Sequence, residues 1–338
     1  MLEIRNLVKR FGPLVAVDDV SFSVAPGEVL GFLGPNGAGK STTMKMVTGF
    51  LAPTSGTAVV CGHDIQAAAI AAKRCIGYLP EGAPAYPDMT PADFLDFVAH
   101  VRGFSGKEAA SRVALVAEVL HINEVLQQPI DTLSKGFKRR VGVAQALLHD
   151  PPVLILDEPT DGLDPNQKYE MREIIAAMRP EKAIIISTHL LEEVEAVCSR
   201  AIIIARGRIL ADDTPAGLAA RSRYHNAVRI GLPFGTEARI RAELAEIAGI
   251  AAIDDAENDE GPALLVIPAG ERPLVGDIAD MARARGWRIT GLRVERGRLD
   301  DVFRAITAPP PAPHGSIERQ RDAAPRAVPQ DGLNVAQG

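Results

Sequence analysis

Gly34-Pro35-Asn36-Gly37-Ala38-Gly39-Lys40-Ser41-Thr42 is the stretch whose reading decides the fold. It has the order Gly, four residues, then Gly-Lys-Ser/Thr, the pattern of a phosphate-binding loop. Glycines at 34, 37 and 39 let the backbone curl until several N–H groups face one anion. A helix starting near Lys40 adds the positive end of its dipole. Lys40 supplies a mobile ammonium for the β- and γ-phosphates of a nucleotide, and the Ser41 hydroxyl is placed to ligate Mg²⁺. The flanks agree with this. Val29-Leu30-Gly31-Phe32-Leu33 is a short apolar run of the kind a buried strand shows, and Thr43 to Phe50 continues as a helix. That strand–loop–helix setting separates a phosphate loop from a Gly-rich turn with a chance Lys-Ser.

The chain around it is long enough, at 338 residues, for one large domain and a smaller one. Its net charge of -6 provides no general pull toward nucleic acid or anionic lipid. The three cysteines, Cys61, Cys75 and Cys198, form no CxxC pair. An odd, scattered set reads as reduced, cytosolic and structural. Met1-Leu2-Glu3-Ile4-Arg5 has no signal-segment pattern. The longest apolar runs, Ala183 to Ile186 and Ala201 to Ala205, are strand-length, far from the ~20 residues that cross a bilayer. A role at a membrane would therefore be exercised from its cytoplasmic side.

Residues 1–28 alternate apolar and polar, predicting an antiparallel β region that leads through Pro26-Gly27-Glu28 into the loop strand. Phe11 is placed to stack on a nucleotide base or to pack in the core; residue type leaves both open. Ala58-Val59-Val60-Cys61 reads as a short strand, and Ile76-Gly77-Tyr78-Leu79-Pro80-Glu81 as a strand running into a loop. Residues 90–130 carry apolar side chains at helical spacing. They predict a helical subdomain, about 85–150, inserted between two parts of an α/β core. Leu133-Ser134-Lys135-Gly136-Phe137 then opens a second helix, with Ser134 as N-cap, whose N-terminus is suited to an anion.

Two further strands end in chemistry. Val153-Leu154-Ile155-Leu156 is a buried-strand run that ends in Asp157-Glu158. In open α/β sheets ligands sit at the carboxyl ends of the strands, so this pair falls where Mg²⁺ and an attacking water belong. An acidic pair on an ordinary surface would not directly follow four aliphatic residues. Ala183 to Thr188 is a second such run, and His189 at its end occupies the position of a γ-phosphate contact.

The order of these motifs resembles the ATP-binding subunits of ABC transporters over residues 1–215. The phosphate loop is Gly34 to Ser41, the Q-loop position Glu81, and the signature loop Leu133 to Phe137. The Walker B strand is Val153 to Asp157 with the catalytic Glu158 after it. The D-loop is Gly162-Leu163-Asp164 and the switch histidine His189. The wording Tyr78-Leu79-Pro80-Glu81, Leu133-Ser134-Lys135-Gly136 and Pro159-Thr160-Asp161-Gly162-Leu163-Asp164-Pro165 looks most like the ABC-2 branch, which includes gliding-motility and drug- or sodium-exporter ATPases. The resemblance implies a P-loop ABC ATPase core with ATP and Mg²⁺ as cofactors. Lys40, Glu158 and His189 would serve catalysis, and Ser41, Glu81 and Asp157 the metal. Gly34 to Thr42 and Phe11 would bind ATP, with Ser134 and Gly136 completing the site from a second copy. It also implies a homodimer on the cytoplasmic face of the inner membrane, driving a separate ABC-2 permease docked on the helical subdomain, with no nucleic acid partner. Two departures stand out: Glu81 replaces the usual Gln, and Lys135 replaces a signature glycine.

Rival ATPases of the same family fit less well. Those of DNA repair carry long coiled coils between the phosphate loop and the signature, and Lys40 to Ser134 is too short for one. Those acting on ribosomes usually hold two nucleotide domains, whereas this chain shows no internal repeat. A binder that closes on ATP without turnover would not need Glu158 and His189.

Residues 216–307 lack nucleotide motifs and read as strand, helix, two strands, helix, strand and a final helix, Leu299 to Thr307. The β-α-β-β-α-β order predicts a small α+β ferredoxin-like domain for dimerisation or regulation. Its strands lack the paired aromatics that stack on RNA bases. Residues 308–338, with Pro309-Pro310-Pro311 and few aliphatics, are expected to be disordered.

Overall fold

The computed structural model describes residues 1–83, 85–258, 261–270 and 272–308. The expected disordered tail lies, past Ala308, outside the described residues. The chain opens with β1 (Leu2–Phe11) and β2 (Leu14–Val24), then β3 (Val29–Leu33) and α1 (Lys40–Val47). Next come β4 (Ser55–Val60), β5 (His63–Asp64), α2 (Ala69–Arg74) and β6 (Ile76–Leu79). Three helices follow: α3 (Pro91–Val101), α4 (Gly106–Val119) and α5 (Lys135–Leu147). The chain returns through β7 (Val153–Asp157), α6 (Pro165–Met178), β8 (Ala183–Thr188) and α7 (Leu191–Val197). Then β9 (Arg200–Ala205), β10 (Arg208–Asp213) and α8 (Pro215–Ala219) complete this part.

The central sheet has strand order β10-β9-β3-β8-β7-β6, parallel except for the β9–β10 hairpin. Every residue of β3, β7 and β8 is buried. Their uninterrupted aliphatic runs are what a parallel sheet covered on both faces requires. The two faces separate by strand alternation. Leu154, Leu156, Ile184 and Ile186 join one core with the helices α3 to α6. Val153, Ile155, Ala183 and Ile185 join a second core with β1, β2 and β4. The latter strands form the expected antiparallel sheet, in the order β2-β1-β4-β5.

The remaining elements are β11 (His225–Gly231), α9 (Glu237–Leu244), β12 (Ile250–Asn258), β13 (Gly261–Pro268), α10 (Val275–Ala284), β14 (Gly291–Arg296) and α11 (Leu299–Thr307). The sheet order β12-β13-β11-β14, antiparallel throughout, with α9 and α10 over its core, is the ferredoxin-like arrangement. Trp287 closes that core and donates its indole N–H to Glu243 at 2.6 Å.

Helix α11 departs from the expectation that groups it with the C-terminal unit 216–307. Leu299, Phe303 and Ile306 form one stripe at helical spacing, and that stripe packs in the first core, where Leu218 of α8 is also buried. The chain therefore leaves the nucleotide core, builds the small sheet, and returns to the core with its last described helix. Leu299 is 1% exposed. We expect Leu299→Ala to cost about 3 kcal/mol of stability, since a buried leucine leaves a cavity. Urea unfolding of the full chain checks this; a midpoint equal to that of the wild type would place α11 outside the core.

Candidate nucleotide site

The phosphate loop follows β3 and caps α1. Gly39 sits at φ 107° as N-cap of that helix. A Cβ there would stand 2.6 Å from the Ala16 carbonyl oxygen, so both conformation and space demand glycine. Lys40 is 7% exposed. Its Nζ donates to the Gly34 carbonyl at 2.6 Å and reaches the Pro35 carbonyl at 3.3 Å. Burial lowers its pKa, while Glu158, Asp157 and Glu81 act to raise it.

An open cavity of about 410 Å³ lies over this loop. Pro35 to Thr42, Phe11, Glu81 and Glu158 all line it. Phe11 is thus on the cavity rim, 47% exposed, with the Lys9 ammonium 5.1 Å from its ring centroid. Its core alternative falls away. Leu14 and Ala16 also line the cavity and were not anticipated; the alternation that marks β2 says nothing about which strand end meets a ligand.

The acidic pair ends β7, as its position after four aliphatic residues predicts. Strand register sets Leu33 beside Thr188, Asp157 beside Ser187 and Leu79 beside Leu156. The phosphate loop, His189, Asp157-Glu158 and the chain leading to Glu81 therefore emerge on one edge of the sheet. The Glu158 amide donates to the Ser187 carbonyl at 2.8 Å. Its backbone is left-handed, at φ 52°. That is an uncommon state for a side chain larger than glycine and re-aims the carboxylate where the strand stops. His189 Nδ1 lies 2.9 Å from Glu158 Oε2.

Asp157 is 1% exposed, and neither carboxylate oxygen has a hydrogen-bond partner. A buried, unpaired carboxylate is costly and calls for a cation. Ser41, Glu81 and Asp157 are oxygen donors around the phosphate loop, which suits Mg²⁺. Among the described residues no three His, Cys, Asp or Glu side chains gather as a self-sufficient metal cage.

Ser134 and Gly136 are not among the residues lining the cavity. The Ser134 hydroxyl accepts from the Phe137 amide at 3.3 Å and caps α5. Gly136 faces α6, where a Cβ would stand 2.6 Å from Gln167 Oε1. Within one chain the loop Leu133 to Phe137 is therefore separate from the cavity over the phosphate loop.

The sequence model of the family described as "ABC transporter" matches residues 17–161. The chain is 35% identical over 309 residues to the Nod factor export ATP-binding protein I of Burkholderia lata, covering 90% of this chain and 96% of that protein. The chain belongs to the ATP-binding proteins of ABC transporters. It is also 37% identical, over 223 residues, to "Probable multidrug ABC transporter ATP-binding protein YbhF" of Escherichia coli (strain K12), which covers 66% of this chain but only 38% of that protein. A dimeric ATP-binding cassette, solved in a post-hydrolysis state with ADP and Pi, superposes with a TM-score of 0.59 at 21% identity, covering 64% of this chain and 99% of its own. Among the described residues of this ABC protein no helix is long and apolar enough to cross a membrane.

The unpaired Asp157 makes one property of the nucleotide-free protein testable. Asp157→Asn removes the buried charge with little change of shape, and because neither oxygen has a hydrogen bond to lose we expect a gain of about 1–2 kcal/mol in the apo protein despite the lost attraction to Lys40 and Arg139. Thermal melts in EDTA measure this; a lower melting point would mean that the carboxylate is satisfied without a metal.

Proposed function

We propose that this ABC protein binds and hydrolyses ATP as a head-to-tail homodimer and powers a separate ABC-2 type permease. The observation that carries this reading is the convergence of Lys40, Glu81 and Glu158 on one cavity, with Asp157 and His189 beside it. Lys40, released from the Gly34 and Pro35 carbonyls, would hold the β- and γ-phosphates with the loop amides. Ser41, Glu81 and Asp157 would hold Mg²⁺, which neutralises phosphate charge when bound. Glu158 would orient the attacking water or accept its proton, and His189, anchored by Glu158 through Nδ1, would contact the γ-phosphate. Phe11 at the rim would stack on the base.

The dimer follows from the separation of the two loops. Twofold symmetry can bring Ser134 and Gly136 of a second copy over each phosphate loop and make two equal sites. We read residues 1–215, extended by α8 and α11, as the nucleotide-binding unit. The sheet of β11 to β14 would then serve as a contact or regulatory surface. The exposed apolar side chains of the helical subdomain, Tyr86, Phe97 and Val101, support docking of a permease there. On this reading the protein works from the cytoplasmic face of the inner membrane. The relatives' names, multidrug transport and Nod factor export, point to export.

Two variants test the reading. Glu158→Gln should bind ATP as the wild type does, lose about 10²–10³-fold in turnover, and accumulate as an ATP-bound dimer in sedimentation. Turnover at the wild-type rate with saturating Mg²⁺ would remove Glu158 from the chemistry. Lys40→Ala should weaken ATP binding at least tenfold by calorimetry; an unchanged affinity would refute the phosphate-loop assignment.

A further inference from the structure

Helix α5 begins at the signature loop and runs along β6 in the opposite direction. His149, just past its end, meets the Ile76 carbonyl through Nε2 at 3.0 Å. Gln145 donates to the Tyr78 carbonyl at 3.1 Å. A Cβ on Gly142 would lie 2.7 Å from Leu79 Cδ1 and 2.8 Å from Ala83 Cβ. The residue one turn nearer the signature loop on this seam is Arg139. It therefore stands where β6 gives way to Glu81 and where β7 ends in Asp157 and Glu158.

Arg139 is 5% exposed, and its Nη1 has no hydrogen-bond partner. Nη2 lies 3.8 Å from Asp161 Oδ2, and that carboxylate is largely exposed. Asp161 belongs to the turn that carries Glu158, since its amide donates to the Glu158 carbonyl at 3.1 Å. The other charges felt by Arg139 are Glu158, Asp157 and Glu81, the same three that act on Lys40. Two buried cations from different helices, α1 and α5, thus face one group of carboxylates. Lys40 is assigned to phosphate. Arg139 has no such task.

We propose that Arg139 is a positioning residue for Glu158: through Asp161 it fixes the turn bearing Glu158 and ties that turn to the signature helix. Nη2 is within ion-pair distance of Asp161, and burial of the guanidinium limits the screening of that attraction by solvent. A shift of α5, which begins at the loop assigned to the second copy's nucleotide, would then reach the carboxylate of its own site. The inference rests on the role proposed above for Glu158.

The test is a double-mutant cycle on the full chain with Arg139→Gln and Asp161→Asn, plus Arg139→Lys. We expect each of the first two to lower kcat about tenfold while KM for ATP stays within about twofold, because the phosphate loop is untouched. The double variant should be no worse than either single one, and Arg139→Lys should recover part of kcat. In EDTA without nucleotide, amides 160–163 should exchange hydrogen faster in Arg139→Gln, with those of 36–42 unchanged. Additive losses, a parallel rise in KM, or unaltered exchange at 160–163 would overturn the proposal. If Arg139→Gln does not fold, the exposed Asp161→Asn decides: wild-type kcat there overturns it. Glu158→Gln keeps the two readings apart. Full turnover in that variant refutes the role of Glu158 itself, whereas loss of turnover there with wild-type kcat in Asp161→Asn refutes only the tie to Arg139.

Discussion

Every charged group of the site depends on the double-sided burial of the parallel strands β3, β7 and β8. Their residues are all buried, so no polar side chain of the site fits in their middle. Charge is admitted only where a strand stops. Parallel pairing makes neighbouring strands stop on the same side, and the register of Leu33 with Thr188 and of Asp157 with Ser187 makes them stop level. A phosphate loop and, more than a hundred residues further along the chain, an acidic pair and a histidine thereby share one edge. The hydrophobic core positions the chemistry by excluding it.

This is also why so much of the molecule was legible in the sequence. Runs such as Val153 to Leu156 state both that a strand is buried and where it ends, so Asp157 and Glu158 could be placed without coordinates. The Gly-Lys-Ser spacing is a local property, and so is the Ser134 cap of α5. Legibility stopped where geometry depends on non-local packing. Phe11 had two equal readings until β1 was seen to end at the cavity. The left-handed backbone at Glu158 has no sequence marker, because the usual one is glycine. Arg139 reads as one basic residue in the run Lys138-Arg139-Arg140, and only the seam of α5 on β6 separates it from a solvated neighbour. Helix α11 was found as a helix, but its apolar stripe does not say which core it enters.

The return of α11 alters how the C-terminal part relates to the rest. Residues 225–296 make a self-contained sheet with its own core, yet the chain on both sides of that sheet is held in the nucleotide-binding core by Leu218 and Leu299. The small sheet is therefore inserted between two helices of the larger fold. Both of its ends are anchored, which restrains its orientation far more than a single flexible linker would.

The contacts of Lys40 have a consequence for selectivity. Its ammonium is bound to the carbonyls of Gly34 and Pro35. The loop thus carries its own competing ligand, and any guest must exchange with it. A guest whose phosphates reach the ammonium replaces one set of oxygen acceptors with a more strongly charged set. A nucleoside, or a nucleotide too short to reach that far, leaves the internal pairing intact and gains only from base and sugar contacts. Self-occupancy of the loop would therefore favour guests whose phosphates reach Lys40, through a pairing built from main-chain oxygens that no side-chain mutation removes.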